Sequence, residues 1–212
     1  MPKRNPHIES EVITGKQQAE EYLEMQKRLG RFYLKQFLRI LNSQEKTGDF
    51  LEIGSGPGYQ TVQVAECIQD AKIQALEPSS DMINIARSYI EQKGLGCRVN
   101  FVEGSVEDEH LVESLGRFDL IYSSFSFHHW KNPTRAIQNL YQVLKDKGVL
   151  FIYDFERHWL TYHNIPLVRK GISESIRASY TPKEIFSMIS GLNIRNFQVQ
   201  RHFPYLSAII TK

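Results

Sequence analysis

From residue 49 onward the chain alternates apolar runs of strand length with amphipathic runs of helix length. That alternation restricts the fold more than any other feature of the sequence. "DFLEI", "KIQALE", "RVNFVEG", "RFDLIYSS" and "KGVLFIYDF" read as strands. Between them, "YQTVQVAECIQ", "SDMINIARSYIEQKG" and "NPTRAIQNLYQVLK" read as helices, with a short helix in "VEDEHLVESL". Strands that are apolar almost throughout cannot leave a sheet face in water, so a parallel sheet covered on both sides is expected. Residues 155–180 are rich in aromatics and histidine and carry no period. "TPKEIFSMISG" then reads as a helix, and "NIRNFQVQRHF" and "YLSAIITK" as a final antiparallel strand pair.

Residues 17–41 form a separate helix in this reading, with Tyr22, Met25, Leu29, Tyr33, Phe37 and Ile40 at three- and four-residue steps. The expected organisation is an N-terminal helical lid, residues 1–46, before one domain, residues 47–212, with a substrate-side insertion at about 155–180. Asn132 is expected to cap a helix whose first turn holds Pro133.

Directly after the first strand comes "GSGPG". A glycine-rich turn between a first strand and its helix is where doubly wound sheets admit a nucleotide-like ligand. No GK[ST] follows, which excludes a Walker phosphate loop, and the third glycine of GxGxxG is replaced by Tyr59, which disfavours a dinucleotide. Glu77 ends the second strand about 20 residues further on, where an acid can accept hydrogen bonds from ribose hydroxyls. The alternative for Glu77 is a surface carboxylate at a helix start. The fold class is therefore α/β and Rossmann-like: a doubly wound, seven-stranded, mostly parallel sheet with an antiparallel C-terminal pair and an N-terminal helical segment.

These segments together resemble the class I S-adenosylmethionine (SAM)-dependent methyltransferases. "FLEIGSGPGYQT" is similar to that family's first motif, an acid followed by GxGxG, and "ALEPSSDMINIAR" to its second. "VNFVEGSVED" and "FDLIYSSFSFHHWKNPTRAIQNLYQVLKDKGVLFIYDF" resemble the regions that follow, in the right order over about 49–155. The nearest likeness is the small-molecule branch that includes quinone-biosynthesis C-methyltransferases, of the type 11/25 kind.

The resemblance implies SAM as cofactor and S-adenosylhomocysteine as its product. It implies that Glu52, Gly54, Ser55, Gly56 and Gly58 follow the methionine part, and that Glu77 and Pro78 lie at the ribose. Met82 would lie near the adenine, as would Ser105 and Val106, while Ser123 would be at the methionine end. Ser105 departs from the family's usual Asp, and Glu107 is a substitute for it. Methyl transfer from a sulfonium asks the protein mainly to orient an acceptor and exclude water. A base is needed only when the acceptor must lose a proton.

Ligands of such sheets bind beyond the carboxyl ends of the strands. "SSFSFHHW" and "DFERHWLTYH" both follow such ends. His128, His129 and Asp154 are therefore candidate catalytic residues, and Tyr22, His158, Trp159 and Tyr162 candidate substrate contacts. Packing or capping is the alternative role for each.

Lys and Arg number 26 against 24 Asp and Glu, a formal charge of +2, so no basic field points to nucleic acid. No segment reads as a secretory signal or membrane span, Cys67 and Cys97 read as buried reduced thiols, and the expected compartment is the cytoplasm. Neither cysteine sits in a metal-binding spacing, so no metal is expected. The expected function is methyl transfer to a small-molecule acceptor, with no DNA partner. The alternatives are a methyltransferase acting on RNA or protein, a SAM-binding protein without catalysis, and an NAD-dependent oxidoreductase.

Overall fold

A computed structural model of the chain describes residues 3–5, 15–160 and 170–212. The expected alternation is present. The elements run α1 (Lys16–Asn42), β1 (Gly48–Ile53), α2 (Tyr59–Cys67), β2 (Ala71–Glu77), α3 (Ser80–Gln92), β3 (Val99–Glu103) and α4 (Glu109–Ser114). There follow β4 (Phe118–Ser124), a 3-10 turn (Phe127–His129), α5 (Pro133–Gln142) and β5 (Leu144–Phe155). The chain closes with α6 (Lys170–Ala178), α7 (Pro182–Ser190), β6 (Phe197–His202) and β7 (Tyr205–Thr211).

Among the described residues the strands form one seven-stranded sheet in the order β3-β2-β1-β4-β5-β7-β6. The first five strands pair in parallel, and β7 pairs antiparallel with both β5 and β6. Strand order reverses between β1 and β4, which places a ligand crevice at their carboxyl ends. Ile53 stands beside Ser123 there.

The two-residue period of the strands sorts their side chains into two cores. Phe50, Tyr122, Phe151 and Tyr153 face α1, α2 and α3. Leu51, Ile53, Ile121, Leu150 and Ile152 face α4, α5 and α7. Phe37 of α1 is fully buried and its ring stacks on Phe151 at 5.4 Å. Burial of one such ring contributes about 2–3 kcal/mol, and this contact fixes α1 against the sheet. The caps follow the sequence. Asn132 accepts from Arg135 N–H at 3.2 Å with Pro133 in the first turn, and Thr181 and Glu184 form a capping box on α7.

Three expectations are corrected. The fully buried stripe of α1 is Ala19, Leu23, Gln26, Gly30, Leu34, Phe37 and Leu41, which shares only Phe37 with the apolar set; Tyr33 and Ile40 pack half-buried beside it and Leu29 is exposed. The true stripe contains a polar residue and a glycine, which a search for apolar periodicity passes over. The stretch 155–180 is not irregular throughout, since α6 occupies its end. Cys67 and Cys97 are exposed free thiols, because Cys67 ends α2 on its solvent side and Cys97 lies in the loop before β3.

Candidate functional site

The glycine loop is shaped largely by the protein's own packing. Gly54 has φ +74°, and a Cβ there would lie 2.2 Å from Ser126 Oγ. Gly58 has φ +81°, and a Cβ there would lie 3.0 Å from Ala86 Cβ and 3.2 Å from its Cα, so α3 packs directly on this position. Both conformations disfavour a side chain. Gly56 is different: the nearest atom to a Cβ would be Tyr22 Cε1, at 3.9 Å. Its outward side is where the loop is open, and Tyr22 of α1 reaches over it.

Glu77 ties β2 to this loop. Its Oε2 accepts from Gly56 N–H at 2.9 Å and its Oε1 from Ser79 N–H at 3.0 Å. Burial pushes its carboxyl up, and the two N–H donors oppose that shift. A carboxylate offers about four lone-pair sites, and two of them are taken by these donors. Pro78 beside it is exposed, and Met82 is buried on α3.

Glu52 is 1% exposed, and its Oε2 accepts from Thr61 Oγ1 at 2.6 Å. Burial raises its carboxyl to about 7, opposed by the hydrogen bond from Thr61. The Tyr122 hydroxyl, on the strand position next to Glu52, is buried without a hydrogen-bond partner among the described residues, as are Ser55 Oγ after β1 and Ser123 Oγ and Ser124 Oγ at the end of β4. Such groups are costly to bury unpaired. Ser123 and Ser124, consecutive at the end of β4, face opposite sides of the sheet, so with Ser55 they leave unpaired polar groups at the carboxyl ends of β1 and β4.

The second cluster is a histidine–carboxylate pair joining β5 to the 3-10 turn. His128 Nδ1 lies 2.8 and 2.9 Å from the two oxygens of Asp154, and His128 N–H donates to Asp154 Oδ2 at 2.9 Å. Phe155 N–H donates to Asp154 Oδ1 at 2.7 Å. Both side chains are buried. A carboxylate only accepts, so the network assigns a proton to Nδ1, and in the neutral imidazole the lone pair is then on Nε2. Nε2 is buried without a partner among the described residues. His129 is exposed, its ring 4.0 Å from that of His128 and outside the carboxylate pair.

The turn carrying His128 is held from two further sides. Phe125 has φ +54°, a strained value for a bulky residue, maintained by ring contacts with Tyr33, Tyr153, Phe155 and Tyr205 at 4.9–5.5 Å. Arg4 donates to the carbonyls of His128 at 3.1 Å and Ala178 at 2.6 Å, with its guanidinium over the Tyr180 ring at 4.1 Å.

Of the candidate residues, the fold brings Glu52, Gly54, Ser55, Gly56, Gly58, Glu77, Pro78 and Ser123 to the crevice, with Tyr22 above Gly56. It pairs His128 with Asp154 but leaves His129 outside the pair. Ser105 is exposed, and its Oγ accepts from Glu107 N–H at 3.2 Å, while Val106 is buried in the core shared with α4 and α5. Glu107 accepts from Asn132 N–H at 2.8 Å. His158 and Trp159 form an aromatic group with Phe203, in which Trp159 is 55% exposed. Tyr162 lies outside the described residues. Sequence reading did not single out Arg4, Gln26, Phe125 or Ser126. Gln26 gave only a polar residue at a core period, Phe125 and Ser126 only a place beside a strand end, and Arg4 no signal at all.

Comparison with known proteins agrees with this architecture. Residues 50–148 match a family model described as a methyltransferase domain. A rice chloroplast 2-methyl-6-phytyl-1,4-hydroquinone methyltransferase is 30% identical over 47% of this chain and 28% of its own length. The malonyl-[acyl-carrier protein] O-methyltransferase of Priestia megaterium is 29% identical over 63% of this chain and 46% of its own length. The chain thus spans less than half of either relative. Among solved structures, a candidate SAM-dependent methyltransferase from Methanococcus maripaludis superposes with a TM-score of 0.77 at 23% identity, covering 97% of both chains. That likeness is one of fold. The resemblance read from the motifs is borne out over the segment that carries them.

Proposed function

We propose that this protein moves a methyl group from SAM to a small-molecule acceptor and releases S-adenosylhomocysteine. The observation that carries this reading is the hydrogen bond by which Glu77 holds the Gly56 N–H of the glycine loop at the point where strand order reverses, with Ser55, Ser123 and Ser124 buried and unpartnered at the same strand ends. They suit a ligand with both ribose hydroxyls and a charged amino-acid end. Glu77 would hold the hydroxyls with its two remaining acceptor directions. The glycine loop and Ser55 would hold the amino-acid end, with Ser123 beside it. Met82, Ser105 and Val106 would flank the base.

Bound SAM would supply the activated methyl group. The chain's own part is to orient the acceptor, exclude water and, where the acceptor carries an acidic proton, hold that proton at His128 Nε2 while Asp154 fixes the ring. His129, His158, Trp159 and Tyr162 would belong to the acceptor side, with Tyr22 closing over the loop. Residues 1–46 would act as the lid and residues 47–212 as the catalytic domain. The small-molecule assignment rests on the near-neutral charge and on relatives named for a hydroquinone and for malonyl-[acyl-carrier protein]. Free, exposed thiols fit a reducing compartment such as the cytoplasm, and no described helix is long and apolar enough to cross a membrane.

The test is incubation with methyl-labelled SAM and a cell extract, split into small and macromolecular fractions. Label in a small-molecule peak is expected. Label confined to RNA or protein would overturn the acceptor class. Binding of NAD but not SAM, read by calorimetry, would overturn the cofactor.

A further inference from the structure

Helix α1 carries a buried polar group that the proposed chemistry does not use. Gln26 is 7% exposed, and its Oε1 is buried without a hydrogen-bond partner among the described residues. Its position is bracketed from both sides. Tyr22, one turn before it, lies over Gly56, and Gly30, one turn after it, lies against the Tyr59 ring. Residues four apart share a helix face. Gln26 therefore faces the chain between Gly56 and Tyr59, which is the end of the glycine loop and the start of α2.

That start is an incomplete site of its own. Val62 N–H makes the first helical bond of α2, to the Gly58 carbonyl at 3.1 Å. The N–H groups of Tyr59, Gln60 and Thr61 precede it and have no helical carbonyl to bond. Such a terminus favours an anion, while the orphan Gln26 oxygen asks for a donor. Ser55 Oγ, also buried and unpartnered, adds a group that can serve either role. A zwitterion satisfies both demands, with its carboxylate toward the helix start and its ammonium toward Gln26.

We infer that Gln26 is a cofactor-positioning residue that accepts a hydrogen bond from the ammonium of the amino-acid end, so that α1 is held down by the ligand it covers. The inference rests on the cofactor reading above. It makes the lid part of the binding site rather than a separate cover.

The test is calorimetry with two ligands on the full chain. S-adenosylhomocysteine carries the amino-acid end, and 5′-methylthioadenosine lacks it. Gln26→Met keeps the volume and removes the acceptor. The variant is expected to bind S-adenosylhomocysteine about tenfold more weakly and 5′-methylthioadenosine as the wild type does. Equal weakening for both ligands would show a packing role and overturn the assignment, as would no weakening for either. Wild-type protein that binds neither ligand would instead defeat the cofactor reading itself.

Discussion

The carboxylate of Glu77 accepts the N–H of Gly56 at 2.9 Å, so the end of β2 holds the glycine loop that follows β1. The acid is therefore a structural strut as well as a candidate ligand group. Glu77→Ala removes both functions and is expected to weaken SAM binding by about 1–3 kcal/mol. Glu77→Gln keeps one acceptor and loses the charge, and should fall between the two. Calorimetry in folded variants decides it, and unchanged affinity in Glu77→Ala would remove the ribose assignment.

The pair of His128 and Asp154 is expected to separate binding from chemistry. Asp154→Asn leaves the buried N–H of Phe155 an acceptor but disturbs the proton on Nδ1. Methyl transfer to an acceptor that must be deprotonated should drop by about 10²–10⁴, with affinity for SAM unchanged. Full transfer in both Asp154→Asn and His128→Asn would show that no base is used.

Glu52 should make the fold sensitive to pH. Its folded value, about 7, lies above the value of about 4.3 in an unfolded chain. Between those values the folded protein keeps a proton that the unfolded chain has lost. Stability from this group therefore falls as pH rises from about 4.3 to about 7. Glu52→Gln keeps an acceptor for Thr61 and removes the ionisation. It should be the more stable protein at pH 8, by up to about 4 kcal/mol, and the gap should close toward pH 4. Denaturant midpoints at several pH values measure this, and a pH-independent gap would contradict the assignment.

Gly54 and Ser126 should be coupled. Gly54→Ala forces a left-handed backbone on a residue with a side chain, costing about 1–2 kcal/mol, and drives its Cβ into Ser126. Adding Ser126→Gly should recover the collision but not the backbone cost. A double-mutant cycle by urea denaturation reads the difference, and strictly additive effects would rule out the contact.

The sequence determined the order and type of the elements because their signals are local. Apolar runs, caps such as Asn132 and turn glycines act over a few residues, and they are enough to specify a doubly wound sheet with its crevice beyond Ile53 and Ser123. The glycines at 54, 56 and 58 and the acid at 77 were legible for the same reason. What the sequence left open depends on atoms far apart along the chain. Only tertiary packing shows that Gly54 makes room for Ser126 and Gly58 for Ala86, or that Asp154 selects one of two adjacent histidines by meeting the Nδ1 of His128. The helix α1 was legible, with Phe37 in its buried stripe, but the stripe's Gln26 and Gly30 were not, because they carry no apolar signal. Their burial follows from what lies opposite them, a helix start and the ring of Tyr59, and no periodicity encodes a partner.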